Sequence, residues 1–214
     1  MSTLLIALHG FTQNGAQLHA MLAPLAERLP QGVTLECPTA PIPCADSSVE
    51  RMFTLFGGER PAPPYRCWFD ATDDGREYRG FEQTKQQLTA LIEAHQKRRP
   101  GRVGLLGFSQ GAICGAALAA LSAHERFPKI DFAIFVAGRT PRSDEIMPLL
   151  DKPLEIPSLH ICGERDGVAK THIQPLVELF DIGSRHLLTW PGPHVVPTRG
   201  VAADAMLSFI ASNG

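Results

Sequence analysis

Short, continuously apolar runs separated by longer stretches of mixed polarity set the rhythm of this chain. The runs are Leu4–Leu8 (LLIAL), Val33–Cys37 (VTLEC), Arg102–Gly107 (RVGLLG), Asp131–Gly138 (DFAIFVAG), Ser158–Gly163 (SLHICG) and Arg185–Trp190 (RHLLTW). Most are apolar at successive rather than alternate positions, the pattern of parallel strands covered on both faces. Helix-compatible stretches lie between them near Ala16–Arg28, Phe81–Arg98, Gln110–His124, Ile173–Phe180 and Thr198–Ala211. This alternation predicts an α/β fold, a three-layer αβα sandwich around a mostly parallel sheet of about six strands with right-handed crossovers.

One region breaks the rhythm. Between Pro38 and Tyr78 there is no clean periodicity, several prolines, and the aromatics Phe53, Phe56, Tyr65, Trp68 and Phe69. A long irregular insertion in a compact domain is usually functional or disordered, and this aromatic content argues against disorder. The segment reads as a lid or pocket wall, against the alternative of a packed surface loop. Phe53, Phe56, Trp68 and Phe69 are its candidate substrate-pocket residues.

At 214 residues the chain suits one domain spanning 1–214, with the insertion at about 38–78. Twenty basic against 22 acidic residues, a net charge of −2, give no electrostatic reason to expect nucleic acid or an anionic membrane as partner. The dense basic run Lys97-Arg98-Arg99 precedes Pro100, where cations complement a helix C-terminus. Cys37, Cys44, Cys67, Cys114 and Cys162 are widely spaced, with no C-x-x-C pair, which supports neither a zinc site nor a disulfide framework. Scattered thiols fit a reducing compartment. The opening MSTLLIALHG lacks a basic leader, and its apolar run is too short for a signal or a membrane span. These features together predict a cytoplasmic protein, and its oligomeric state is not written in them.

Candidate chemistry begins at Gly107-Phe108-Ser109-Gln110-Gly111. The serine follows an apolar strand and opens an Ala-rich helix, the context that a nucleophile elbow requires. Side chains at Gly107 and Gly111 would collide with the neighbouring strand and helix. A nucleophilic serine needs a base, because a free hydroxyl is barely ionised at neutral pH. Of eight histidines, His160 and His186 fall within strands, and His19, His95, His124 and His172 fall on or near helices. His194, in WPGPHVVP, follows the last strand, where it can project over the sheet's C-terminal edge. Asp166, in CGERDGV, also directly follows a strand and can orient that imidazole. Glu164 is its nearest competitor, and Asp204 lies within the last helix. The order Ser109, Asp166, His194 is the chain order of α/β-hydrolases. An oxyanion hole needs two donors aimed at the developing charge. The backbone N–H of Gln110 is one, acting through the main chain rather than the side-chain amide. The N–H of Phe11, in the loop HGFTQNG after the first strand, is the other. His9 and Gly10 shape that turn, His9 in a structural rather than catalytic role, and Gln13 braces it. No metal and no organic cofactor is expected.

With these residues in place the chain resembles the FSH family of serine hydrolases, within the α/β-hydrolase superfamily. The resemblance rests on LHGFTQNG, on CWFD (Cys67 to Asp70) followed by Tyr78 and Gly80, on GFSQGA, HICGERDGV and GPHVVP. It implies Ser109, Asp166 and His194 as a catalytic triad. It also implies a sheet lacking the first two strands of larger hydrolases, and a small-molecule substrate, a carboxylic ester or thioester of an apolar acyl group. Arg139 and Arg142, in AGRTPR, are candidates to grip a substrate carboxylate or carrier phosphate, against a solvated role. A hydrolase fold serving only as a binding module, and a peptidase using the same triad, are the alternative readings.

Overall fold

Leu4, Leu5, Ile6, Ala7 and Leu8 have no solvent-accessible surface, a condition a strand meets only in the interior of a sheet covered on both faces. The computed structural model describes residues 2–56 and 62–214, with backbone alone at Leu55 and Phe56. In chain order its first half comprises β1 (Thr3–Leu8), α1 (Gly15–Ala26), β2 (Val33–Glu36), β3 (Ile42–Pro43), α2 (Asp46–Phe56), β4 (Arg66–Cys67), β5 (Asp70–Ala71), β6 (Tyr78–Arg79) and α3 (Phe81–Arg98). The second half comprises β7 (Arg102–Phe108), α4 (Gln110–Ala123), β8 (Phe132–Val136), β9 (Ser158–Gly163), α5 (Ile173–Glu178), β10 (Arg185–Trp190) and α6 (Gly200–Asn213).

Six strands form one sheet in the order β10-β9-β8-β7-β1-β2, every pair parallel. The chain builds outward from β1 in one direction to β2 and in the other to β7, so the strand order reverses between β1 and β7. In open α/β sheets ligands bind at such a reversal, beyond the carboxyl ends of the strands. Here that point lies between the loop after Leu8 and the turn after Phe108. Each apolar run expected to be a strand is one, with ends within two residues of the expected ones, and the helices occupy the intervening stretches.

Helix α1 starts at a capping box, in which the Asn14 side chain accepts from the Gln17 N–H and the Gln17 side chain accepts from the Asn14 N–H, each at 3.1 Å. This satisfies two of the four donors a helix N-terminus leaves open. Helix α4 is buried on nearly every side, and small residues let it approach β1, β7 and β8 closely.

The segment 38–78 holds more regular structure than its irregular sequence suggested. It contains α2 and two short antiparallel ribbons, β3–β4 and β5–β6. Its helix follows an i, i+3, i+4, i+7 apolar spacing at Val49, Met52, Phe53 and Phe56, a signal masked by the prolines on either side. Among the described residues no helix is long and apolar enough to cross a membrane.

Two features of this packing are testable. A Cβ on Gly111 would lie 2.0 Å from the Leu8 carbonyl oxygen, a backbone atom of the central strand that has no room to yield. Gly111→Ala should therefore lower unfolding free energy by about 3 kcal/mol, measured by urea titration. His160 is fully buried on β9 between Phe135 and Phe180, with ring centroids 5.2 and 5.1 Å away. Burial, reinforced by the charge of Arg185, lowers its pKa from 6.5 to about 3. The unfolded chain therefore binds this proton more tightly. Stability from the neutral ring is complete above pH 6.5 and drains away as pH falls toward 3. His160→Leu should flatten the stability–pH profile in that window by up to about 1.4 kcal/mol per pH unit, read from thermal or urea unfolding at stepped pH.

Candidate active site

The turn from β7 into α4 holds Ser109 at φ 54° and ψ −114°, a left-handed backbone that non-glycine residues rarely adopt. Its N–H donates to the Val136 carbonyl at 3.0 Å, and its own carbonyl accepts from Ala112 and Ile113 at 3.0 and 3.2 Å. The glycines on either side have steric reasons. A Cβ on Gly107 would come within 2.4 Å of the Gly111 carbonyl oxygen and 2.5 Å of the Ala112 Cα. One on Gly111 would strike Leu8 and His9. The Ser109 hydroxyl is thus raised off the sheet edge on a turn that neighbouring backbone leaves no freedom to relax.

His194 Nε2 lies 3.0 Å from Ser109 Oγ, and His194 Nδ1 lies 2.8 Å from Asp166 Oδ2. Asp166 is buried, and its other oxygen accepts from the Val168 and Ala169 N–H groups, both at 2.8 Å. A carboxylate so placed can only accept, so His194 carries its proton on Nδ1 and offers a lone pair on Nε2 to the serine hydroxyl. Glu164, the competing acid, is exposed and takes no part in this chain. Asp204 lies on α6, paired with Arg28.

The loops that carry Asp166 and His194 are tied together. Glu164 N–H donates to the Trp190 carbonyl at 2.8 Å and Arg165 N–H to the Gly192 carbonyl at 3.0 Å. Gly163 permits this, since a Cβ there would sit 2.2 Å from the Gly192 oxygen. Phe108 packs against the His194 ring at 5.1 Å.

Phe11 and Gln110 sit at the carboxyl ends of β1 and β7. Among the described residues neither backbone N–H has an acceptor. Around Phe11 the backbone is heavily tied, with Thr12 N–H donating to Arg66 O at 3.0 Å, Gln13 N–H to Gly10 O at 3.2 Å, and Arg66 N–H to Gln13 O at 3.2 Å. The oxyanion role expected of Gln110 belongs to its main chain, and its side-chain amide is engaged elsewhere. Its Oε1 accepts from the Trp68 N–H at 3.0 Å and its Nε2 donates to the Phe69 carbonyl at 2.9 Å.

The pocket residues divide. Trp68 and Phe69 are 0% and 3% exposed, so they are core residues and present no free face to a substrate. The Trp68 indole N–H finds its partner inside the protein, and Phe69 is covered by Tyr78 stacked on it at 3.8 Å between centroids. Aromatic content alone could not reveal which way these rings turn. Phe53 is partly exposed and faces Tyr65 at 6.3 Å. The Phe56 side chain lies outside the described residues. Arg139 is exposed in the loop after β8, on the same edge of the sheet as Ser109. Arg142 donates its N–H to the Tyr78 hydroxyl at 2.9 Å. Among the described residues no three His, Cys, Asp or Glu side chains gather as a metal site.

Known proteins resemble this chain along its length. Esterase OVCA2 from Bos taurus is 30% identical over 223 residues, covering 96% of this chain and 94% of the bovine protein. A dihydrofolate reductase from Schizosaccharomyces pombe is 28% identical over 97% of this chain, which spans only 46% of that longer protein. The crystal structure of acyl-protein thioesterase 2 from Zea mays superimposes with a TM-score of 0.67 at 22% identity, covering 99% of this chain and 94% of the maize one, a likeness of fold. The family described as Serine hydrolase (FSH1) matches residues 1–206, and to that family this chain belongs.

Proposed function

We propose that this serine hydrolase cleaves carboxylic esters or thioesters of apolar acyl groups through an acyl-Ser109 intermediate. The observation that carries the reading is the unbroken hydrogen-bonded line from Ser109 Oγ through His194 to buried Asp166, at 3.0 and 2.8 Å. A strained serine beside an imidazole of defined tautomer has the parts that acyl transfer needs.

In the proposed reaction, Ser109 Oγ attacks the substrate carbonyl carbon while its proton passes to His194 Nε2. Asp166 stabilises the imidazolium that forms, and the Phe11 and Gln110 N–H groups receive the oxyanion. Collapse of the tetrahedral intermediate breaks the bond to the leaving alcohol or thiol, which takes the proton from His194. Water then enters, gives a proton to His194 and attacks the acyl carbon. The second collapse releases the carboxylic acid and returns the proton to Ser109.

The apolar acyl preference draws on Phe53 and Tyr65. Tyr65 immediately precedes Arg66, whose backbone pairs with Thr12 and Gln13 next to the Phe11 N–H. An acyl chain leaving the oxyanion site in that direction gains about 0.8 kcal/mol for each methylene it buries. The names of the bovine esterase and the maize thioesterase are in keeping with the reaction class.

Ser109→Ala should lower kcat/KM on an activated aryl ester by on the order of 10³-fold or more, and should abolish labelling by a fluorophosphonate. Unchanged turnover in the purified variant removes Ser109 from the mechanism. Phe53→Ala should reduce the kcat/KM advantage of an octanoyl over an acetyl aryl ester by about 5-fold, the size of a partial loss of methylene burial. An unaltered chain-length profile moves the acyl site away from α2.

A further inference from the structure

Phe11 N–H belongs to the same peptide unit as the Gly10 carbonyl. A trans peptide is planar, with its C=O and N–H pointing in opposite directions, so whatever holds Gly10 O also aims Phe11 N–H. Two donors hold it: His9 Nδ1 at 2.8 Å and Gln13 N–H at 3.2 Å. The preceding peptide is pinned at both ends too. His9 O accepts from the Trp68 indole N–H at 2.8 Å, and Gly10 N–H donates to Gln13 Oε1 at 2.8 Å.

His9 can play this part in only one protonation state. A carbonyl oxygen only accepts, so Nδ1 must carry the proton. Nε2 accepts from the Ala40 N–H at 3.0 Å and must therefore be bare. The ring is fully buried, and burial lowers its pKa to about 4, which keeps it neutral. Trp68 packs on it at 4.8 Å between ring centroids. The backbone N–H of Trp68 in turn donates to Gln110 Oε1.

We propose that His9, Trp68 and the Gln110 amide act as positioning residues that together set the aim and spacing of the two oxyanion donors. The assignment rests on the acyl-serine reading above. The buried line runs from Gln110, whose own main chain supplies one donor, through Trp68 to His9 and on to the Gly10–Phe11 peptide that supplies the other. An apolar trio of the same volume would fill this space without the cost of burying polar groups. A fully satisfied polar line fixes orientation, which apolar contacts do not. Buried Trp68 of the CWFD stretch thus joins the two halves of the site from behind.

The test compares His9→Leu, His9→Asn and Trp68→Phe with wild type. His9→Leu removes the Nδ1 donor. His9→Asn retains an amide N–H at the same reach from the backbone. Trp68→Phe removes the indole N–H together with part of the indole's volume while keeping an aromatic ring, so its thermal midpoint reads the packing loss separately from kcat. The readouts are kcat and KM on an activated aryl ester, thermal midpoint, and inhibition by an alkylboronic acid. The boronic acid bonds to Ser109 Oγ and sets a tetrahedral, negatively charged boron hydroxyl before the oxyanion donors. His9→Leu and Trp68→Phe should lower kcat by about 10- to 100-fold, somewhat less than deletion of a donor, with KM little changed. They should weaken the boronic acid by a similar factor, and His9→Asn should recover most of both losses. Folded variants that keep wild-type kcat and boronic acid affinity overturn the proposal, as does a loss confined to KM. If His9→Leu fails to fold, Trp68→Phe and His9→Asn decide by the same readouts. Failure of the underlying reading looks different: wild type itself would form no boronic acid adduct, and Ser109→Ala would keep its turnover.

Discussion

A serine at φ 54° and ψ −114° costs on the order of 1–3 kcal/mol relative to relaxed backbone, and the structure holds it there by leaving its neighbours nowhere to go. Gly111 sits with its α-carbon against the Leu8 carbonyl, and Gly107 against the first turn of α4, at approaches that exclude any side chain. The Ser109 N–H is drawn across to β8 by the Val136 carbonyl. Relaxing this turn would mean withdrawing α4 from the three central strands, whose side chains are almost wholly buried. The burial of that core therefore offsets the local strain, and the hydroxyl stands proud of the sheet as a consequence.

The same geometry brings the first loop within reach. Strand order reverses between β1 and β7, and it is at the carboxyl ends flanking such a reversal that open α/β sheets form their ligand crevice. Most loops at such a crevice are free to adapt. This one is bound on its inner side by Trp68, His9 and Gln13, and along its edge by Arg66. From the segment between β2 and α3, Ala40, Arg66 and Trp68 make hydrogen bonds to this loop. In the outer part of that segment Phe53 of α2 faces Tyr65, both partly exposed.

Asp166 and His194 arrive from the far side of the sheet on loops after β9 and β10. Neither loop is held by its own sequence alone. The parallel register carries both strands to one edge, and two backbone hydrogen bonds past Gly163 join the loops that follow. Asp166 then has both oxygens committed, so the imidazole tautomer is settled by the carboxylate's inability to donate.

The amino-acid sequence determined the order of strands and helices, because continuous apolar runs and Ala-rich or amphipathic stretches are local signals. It also marked Ser109, Asp166 and His194 as residues at strand ends, since parallel strands all finish at one edge. It carried the spacing of α2 at Val49, Met52, Phe53 and Phe56, although flanking prolines obscured it. The orientation of Trp68 and Phe69, and the partners of the Gln110 amide, were decided only by tertiary structure. An aromatic ring is equally apolar toward a pocket or a core. For Trp68 the indole N–H finds its acceptor at His9 O, 59 residues away in the chain, and Phe69 is turned inward by the Tyr78 ring stacked on it.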